Sequence, residues 1–253
     1  MANLASLPIL LKELKLTTFT LQWETAANKA IQEQWLPQQY LAHLCEEEVN
    51  ERYQRRLLRY LREAQLPPGK QLANFSFDQA EGIKMNQITA LTTNTQWVRQ
   101  ASNLLLFGPS GTGKTHLAAG IAYALVEQGI RVKCFSAVNL VQQLQVDRQN
   151  LQLPQALARL DRYPAIILDD IGYVRQTEQE AHVLFELIAH RYETGSLIIT
   201  SNQPFSQWDN IFTDNMMTVA AIDRLVHHAT ILECQGESFR KKASMARREN
   251  AEK

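Results

Sequence analysis

The sequence predicts an α/β fold built on a parallel sheet and preceded by a small all-helical domain. From about residue 70 onwards, short apolar runs alternate with amphipathic helical segments, which is typical of a parallel sheet covered on both faces. A glycine-rich loop joins the first of these runs to the helical segment that follows it. Before residue 67 the alternation is absent and the apolar residues have helical spacing.

The composition is that of an ordinary globular chain. Of the 253 residues, 45% are hydrophobic and 21% are charged, which argues against wholesale disorder. The 26 basic residues balance 26 acidic ones, so any nucleic-acid site must be a local patch. No apolar run reaches the roughly 18 residues of a membrane span. Three scattered cysteines and the lack of a signal-peptide pattern predict a cytoplasmic protein without a membrane partner.

Four segments are expected along the chain. Residues 1–66 are predicted to form the helical N-terminal domain, because no glycine occurs between Leu36 and Ala64 and apolar residues recur at spacings of three to five. A breaker cluster at 66–69, LPPG, begins a linker that we place at 67–74. The α/β domain then covers 75–235. A basic tail at 236–253 contacts DNA or another subunit, or serves only to solubilise the chain.

Five strands and the helices between them are expected in the α/β domain. The predicted strands cover residues 104–107, 131–135, 165–168, 197–199 and 230–232. The predicted helices cover residues 114–128, 178–192 and 216–228. Ser136 is suited to cap a further helix after the second strand.

The glycine-rich loop is the strongest functional signal. Residues 108–115, GPSGTGKT, match the pattern G-x-x-x-x-G-K-[ST] at every position, between a strand and a helix. Such glycines let backbone N–H groups turn inward, and the positive end of the helix attracts a polyphosphate. The Lys114 ammonium can reach the β- and γ-phosphates, and the Thr115 hydroxyl can ligate Mg²⁺.

The predicted nucleotide-binding residues of this loop are Gly108, Pro109, Ser110, Gly111, Thr112, Gly113, Lys114, Thr115 and His116. For His116, which follows the motif, a structural packing role is the alternative.

Two other strand ends supply the polar groups that such a loop requires. Asp169 is expected to hold the Mg²⁺ shell, and Asp170 to position the attacking water. Asn202 follows the next strand, where its amide would orient that water or contact the γ-phosphate. The alternatives are an acidic strand cap for the aspartates and a turn before Pro204 for the asparagine.

Five motifs together resemble the IstB-type ATPases, the transposition helper proteins of the IS21 insertion-sequence family. They are GPSGTGKTH at 108–116, LDDIGY at 168–173, TSNQPFSQW at 200–208, DRLVHH at 223–228 and GESFR at 236–240. These ATPases are similar to DnaC-type helicase loaders and to the initiator DnaA. The resemblance implies an AAA+ core of the ASCE class that lacks the usual C-terminal lid, with ATP and Mg²⁺ bound between protomers.

The resemblance also implies roles for two arginines. Arg224 lies where an arginine from the neighbouring subunit would complete the catalytic set, and Arg240 lies in the tail motif near the γ-phosphate. A cation added by a second subunit neutralises charge on the transferring phosphoryl group. The alternatives are a surface salt bridge for Arg224 and a solvated tail for Arg240. An arginine supplied in trans makes hydrolysis depend on assembly. Many relatives have Glu in place of Asp170, and the shorter side chain here bears on water positioning, so slow hydrolysis is expected.

A basic stripe on the long N-terminal helix is the candidate DNA contact. It consists of Arg52, Arg55, Arg56, Arg59 and Arg62. One hypothesis is sequence-independent contact with phosphates, and the resemblance implies duplex DNA. The other is an exposed helix stabilised by the pairs Glu48–Arg52, Glu51–Arg55 and Arg59–Glu63. Contact with a partner protein is a further use of this domain.

Two adjacent histidines, His227 and His228, are assigned to packing or to the surface. Adjacent on the predicted helix, they point about 100° apart and cannot share a metal as an i, i+4 pair could.

The sequence and the resemblance together predict an ATP-dependent transposition helper. It would assemble as a ring or filament on duplex DNA, bend the DNA and recruit a separate transposase, and hydrolysis would drive disassembly. A DnaC-like helicase loader is the alternative. A small-molecule P-loop kinase is a third hypothesis, although no lid or acceptor-site signal supports it.

Overall fold

The structure is a computed structural model that describes residues 4–173, 177–212, 214–236 and 238–239. It divides into two compact units, Met1–Arg59 and Tyr60–Lys253. This division falls within a single long helix, several residues before the boundary at 66 that the sequence analysis proposes. None of the helices in these ranges is both long and apolar enough to cross a lipid bilayer.

The first unit is helical. Its elements are α1 (Leu7–Glu13), α2 (Thr17–Gln32) and most of α3 (Pro37–Ala64). They pack through a small core that contains Leu11, Phe19 and Leu44.

A buried carboxylate joins α2 to α3. Glu48, which is only 4% exposed, accepts a hydrogen bond of 2.7 Å from the backbone N–H of Thr18 at the start of α2. Its other oxygen accepts a 2.7 Å bond from Arg52. Burial alone would raise the pKa of Glu48, but the hydrogen bonds from Arg52 and Thr18 outweigh it and the pKa is lowered. Glu48 is therefore ionised at neutral pH and satisfies one of the unpaired N–H groups at the start of α2.

Strands and helices alternate along the second unit. Its strands are β1 (Asn103–Phe107), β2 (Val132–Ser136), β3 (Ala165–Asp169), β4 (Ser196–Ser201) and β5 (Ala229–Glu233). Its helices are α4 (Met85–Thr93), α5 (Gln96–Arg99), α6 (Lys114–Glu127), α7 (Ala137–Gln149), α8 (Leu153–Leu160), α9 (Glu178–Arg191) and α10 (Asn215–Val226).

The five strands form one parallel sheet in the order β2-β3-β4-β1-β5. The predicted α/β fold with a parallel sheet is therefore confirmed, and each predicted strand is present. β1 and β4 are buried along their whole length, as expected for central strands with helices on both faces. Because the strands are parallel, their carboxyl ends lie at one edge, and the residues that follow them share one crevice. Within the described residues, no helical bundle follows β5.

Several local expectations differ from the structure. Ser136 does precede α7, but its side chain makes no capping hydrogen bond. Helix α10 ends at Val226 rather than at residue 228, so both histidines lie beyond the helix. Helices α4, α5 and α8 have no counterpart in the sequence analysis.

The predicted linker at 67–74 packs along α6. The Tyr123 hydroxyl donates a 3.3 Å hydrogen bond to the Pro67 carbonyl. A Cβ atom on Gly120 would lie 2.6 Å from a methyl carbon of Leu72, so α6 and this segment are in direct contact. The segment is therefore part of the second unit and reaches the start of α6.

Candidate nucleotide-binding site

The glycine-rich loop connects β1 to α6 and depends on glycine at two close approaches. Gly108 has φ +141° and Gly113 has φ +98°, a region that favours glycine. A Cβ on Gly108 would lie 2.0 Å from the carbonyl oxygen of Cys234. A Cβ on Gly113 would lie 2.8 Å from the ring of Phe75. The loop is therefore enclosed by the end of β5 on one side and by the segment before α4 on the other.

Lys114 is held inside this loop. Its side chain is 4% exposed. Its ammonium donates to the carbonyl oxygens of Gly108 at 2.7 Å and Pro109 at 2.8 Å. The Thr112 hydroxyl also donates to the Pro109 carbonyl, at 2.9 Å. A buried positive charge at the start of a helix is the electrostatic arrangement that attracts phosphate oxygens.

Asp169 at the end of β3 accepts hydrogen bonds from two threonines. One of its oxygens receives the Thr115 hydroxyl at 2.8 Å and the Thr200 hydroxyl at 2.7 Å. These contacts join the ends of β3 and β4 to the first turn of α6. Carboxylate and hydroxyl oxygens are the ligands that Mg²⁺ prefers, so Thr115 and Asp169 suit the cation predicted for this place.

Thr200 is a site residue that the sequence analysis misses. It is fully buried, and its hydroxyl donates to Asp169 while it accepts the backbone N–H of Asp170 at 2.8 Å. A single hydroxyl thereby positions both acidic residues. The available signal was a threonine within the otherwise apolar run LIIT at 197–200.

Asp170 has a strained backbone. Its φ is +58°, a left-handed conformation that costs a residue with a Cβ roughly 1–2 kcal/mol. The hydrogen bond from its N–H to Thr200 helps to maintain that conformation. Asp170 also lines the cavity beside the loop. The strained residue is therefore one that contributes a carboxylate to the cavity wall.

This cavity has a volume of about 230 Å³ and lies between the loop and the segment before α4. Its walls are formed by Lys70, Asn74, Phe75, Ser76, Ser110, Gly111, Gly113, Lys114, Thr115, His116, Asp170 and Phe239. The tail residue Phe239 is fixed there by its backbone N–H, which donates to the Gly111 carbonyl at 3.0 Å. Lys70 and Asn74 belong to the predicted linker at 67–74, and nothing in the sequence indicated that this segment would line the cavity.

His116 both lines the cavity and packs. Its Nε2 lies 3.0 Å from the carbonyl oxygen of Gln71, and its ring contacts Phe75 edge-on with centroids 5.2 Å apart. Desolvation lowers the pKa of His116, so the ring is neutral at pH 7 and Nε2 carries the proton that it donates. The nucleotide-binding and packing hypotheses for this residue are thus compatible.

Asn202 lines a different cavity from Lys114 and Asp170. This second cavity, of about 340 Å³, is also lined by Gly108, Pro109 and Cys234. The side-chain oxygen of Asn202 is buried and has no hydrogen-bond partner among the described residues. A Cβ on Gly172 would lie 2.3 Å from that oxygen, so the turn after Asp170 passes directly over the amide. A catalytic role for Asn202 stays a prediction.

In its described contacts, Arg224 does not join this site within one chain. Arg224 donates to the Ala220 carbonyl at 2.8 Å and lies over the Phe185 ring, 5.3 Å from its centroid. These contacts are confined to α10 and α9. Arg240 lies outside the described residues.

The basic stripe on α3 takes part in ion pairs along its own helix. Arg52 bonds to Glu48 at 2.7 Å, and Arg55 to Glu51 at 3.3 Å. Glu63 also accepts a 2.7 Å bond from Arg131. Arg56, Arg59 and Arg62 are exposed. The pairs Glu48–Arg52 and Glu51–Arg55 of the alternative hypothesis are therefore present, and DNA contact stays a prediction.

Comparison with known sequences also indicates an ATP-binding protein. The profile of the family described as "IstB-like ATP binding protein" matches residues 9–247. An insertion-sequence ATP-binding protein of Sinorhizobium fredii is 47% identical over 241 residues, which are 95% of this chain and 81% of that protein. The IS21 ATP-binding protein of Pseudomonas aeruginosa is 34% identical over 236 residues, which are 93% and 89% of the two chains.

Solved structures share the fold at low identity. The crystal structure of DnaI matches with a TM-score of 0.54 and 19% identity, over 69% of this chain and 94% of that one. The AMPPCP-bound DnaA of Aquifex aeolicus matches with a TM-score of 0.54 and 18% identity, over 68% and 52%. These likenesses support the AAA+ fold of the second unit.

Proposed function

Because this chain belongs to the IstB-like ATP-binding proteins, we propose that it is an ATP-hydrolysing helper of DNA transposition. ATP and Mg²⁺ would bind at the 108–115 loop and drive assembly of several copies on duplex DNA. The assembly would bend the DNA and recruit a separate transposase, and hydrolysis would release it. The observation that best supports this proposal is the set of hydrogen bonds that joins Asp169 to Thr115 of the loop and joins both Asp169 and the backbone of Asp170 to Thr200.

The 108–115 loop and the polar residues at the ends of β3 and β4 each have a chemical role in this proposal. The loop N–H groups and the Lys114 ammonium hold the phosphate chain. Thr115 and Asp169 would hold Mg²⁺, which neutralises charge on the phosphate oxygens. The Asp170 carboxylate orients the attacking water and accepts its proton. In this proposal Thr200 contacts neither the phosphates nor Mg²⁺, and instead positions the two aspartates.

In this proposal, assembly places the guanidinium of Arg224 from one copy at the γ-phosphate bound by the next. Within one chain Arg224 contacts only α10 and α9 in the contacts described above, which fits an arginine that serves a neighbouring copy. The γ-phosphate would then bridge two subunits and bind the assembled state more tightly than the separated one, which makes ATP a switch for assembly. The stripe on α3 would contact the phosphates of duplex DNA.

The first experiment measures duplex-DNA binding and particle size with ATP and with ADP. We expect large particles on duplex DNA with ATP only, and none with Lys114→Ala, because the phosphate chain loses its buried cation. The exposed Lys84→Ala variant is the matched control and should assemble like the wild type. Equal assembly with ADP, or a preference for single strands together with capture of a replicative helicase, would contradict the proposal.

The second experiment tests Arg224. Arg224→Ala should abolish turnover while the nucleotide affinity of the isolated monomer stays close to that of the wild type, because the arginine acts on another copy. Arg148→Ala, an exposed arginine paired with Glu186 at 3.8 Å, should leave turnover unchanged. Retention of turnover in the Arg224 variant would exclude the role in trans.

A further inference from the structure

A cluster of potential metal ligands lies where α9 and α10 both end. Glu193 follows Tyr192, the C-cap of α9, and His227 is the C-cap of α10, with His228 directly after it. On regular helical positions the two adjacent histidines would point about 100° apart. His227, the C-cap, still has helical angles of φ −49° and ψ −40°, but the two ring centroids are only 4.1 Å apart. The observed ring positions therefore bring the two imidazoles together.

Three side chains can converge on one ion. Glu193, His227 and His228 are all exposed, and each offers one ligand atom within 4.8 Å of the other two. Ligand atoms on a tetrahedral zinc ion, at about 2.1 Å from the metal, are about 3.4 Å apart. Because all three side chains are exposed, rotations about their own side-chain bonds can bring the ligand atoms to that spacing.

The surroundings favour a cation. The carbonyl ends of two helices meet here, and each carries partial negative charge. The Tyr192 hydroxyl lies 2.8 Å from Nδ1 of His227. In the tautomer whose Nδ1–H donates to the Tyr192 oxygen, Nε2 of His227 keeps its lone pair for a ligand, which is the usual arrangement of metal-binding histidines.

We propose that Glu193, His227 and His228 bind one Zn²⁺ ion. Two imidazoles and one carboxylate suit zinc, whereas Mg²⁺ and Ca²⁺ prefer sets made only of oxygen. Three protein ligands leave a fourth position for water or for a group from outside the chain.

The ion would tie the turn after α9 to the end of α10. Arg224 precedes His227 by three residues and lies over Phe185 of α9. Zinc would therefore stiffen the helix pair that presents Arg224. This role is independent of the nucleotide loop, and the site can exist whether or not the proposed function is correct.

The test is a Zn²⁺ titration of the full chain by calorimetry, with excess Mg²⁺ present to saturate sites made of oxygen ligands. We expect one equivalent of bound zinc and a rise in melting temperature. Glu193→Gln and His228→Ala should each weaken binding about tenfold or more and remove the rise in melting temperature. The control is His182→Ala, because His182 is a half-exposed histidine whose Nε2 lies 3.9 Å from the Glu178 carboxylate. That variant should bind zinc like the wild type.

Substitution with Co²⁺ identifies the ligands directly. The proposed site predicts the visible absorption of a tetrahedral cobalt centre without the charge-transfer band of a thiolate. Zinc affinity weaker than about 1 mM, equal affinity in all variants, or a thiolate band from a cysteine would each overturn the proposal.

Discussion

The nucleotide loop and the arginine stripe of α3 are both groups of polar residues that the sequence singles out, but the structure holds them differently. At the loop, Lys114 is buried, and Thr115 bonds to Asp169 at the end of β3. On α3, Arg52 and Arg55 are partly exposed and pair with the residue four positions before each of them. Both arginines also bond to the turn and helix before α3, Arg52 to the Lys15 carbonyl at 2.9 Å and Arg55 to the Thr18 hydroxyl at 3.3 Å. The two groups therefore differ in burial rather than in the sequence range of their contacts.

This difference decides how much each group says about function. A buried polar residue costs free energy unless its bonds are complete, so a completed network at a cavity wall indicates a demand beyond stability. Exposed ion pairs contribute only about 0.3–0.5 kcal/mol each on a helix, and a row of them also occurs on ordinary solvated helices. Substitutions should therefore have large effects at the loop and small ones on α3.

The largest effect is expected from Gly108→Ala. The new Cβ would lie 2.0 Å from the Cys234 carbonyl oxygen at a φ of +141°, so either β1 or the end of β5 must move. We expect a loss of about 3 kcal/mol or more in the free energy of unfolding, measured with urea. Gly129→Ala is the control, because Gly129 has φ +80° and no atom within 4 Å of the new Cβ. It should cost about 1 kcal/mol, and equal losses would contradict the role of the close approach.

The next effect is on turnover in Thr200→Val, which keeps the shape and removes the hydroxyl. Asp170 loses the acceptor for its N–H and Asp169 loses a donor, so we expect ATP turnover at saturating ATP to fall about 10- to 100-fold. Stability should fall by about 1–3 kcal/mol. In the control Thr218→Val, a buried threonine loses its 3.1 Å bond to the Asp214 carbonyl. A similar fall of turnover in that variant would show that stability, and not positioning, is responsible.

A smaller effect is expected from Glu48→Gln, and it depends on pH. The pKa of Glu48 is lowered in the folded state, so its ionised form contributes stability at pH values above the unfolded pKa of about 4.3. That contribution is lost as the pH falls through the folded pKa. We expect the variant to be about 1 kcal/mol less stable at pH 7 and the difference to vanish in acid. Glu51→Gln, at an exposed pair, should change little, and a difference that persists in acid would exclude the electrostatic explanation.

The smallest effect is expected on the stripe itself. If Arg56 contacts a DNA phosphate, Arg56→Gln should weaken duplex binding a few-fold and reduce the slope of log affinity against log salt by about 0.9. The measurement is binding over a range of salt concentrations, with Arg148→Gln as the control. An unchanged slope would show that Arg56 does not contact a DNA phosphate and would favour the hypothesis of an exposed, ion-paired helix.

The sequence was sufficient for features set by local pattern. The strands follow from apolar runs, and the loop follows from its exact spacing of glycines and Lys114. Thr200 could not be found in this way, because its contact with Asp169 requires β4 to lie next to β3 with Leu168 opposite Ile199. Strand order and register are properties of the folded chain. The same holds for the wall at Phe75, since nothing in the breaker cluster at 66–69 indicates that the following residues return to the loop.

The shared hydroxyl of Thr200 has a consequence for how substitutions combine. Because one oxygen atom serves both the Asp169 carboxylate and the backbone N–H of Asp170, a change at Thr200 disturbs both acidic residues. Thermodynamic cycles between Thr200→Val and Asp169→Asn should therefore deviate from additivity, while cycles between Thr200→Val and the remote Thr218→Val should not. The Asp169 carboxylate and the backbone of Asp170 are in this sense coupled through one hydroxyl group.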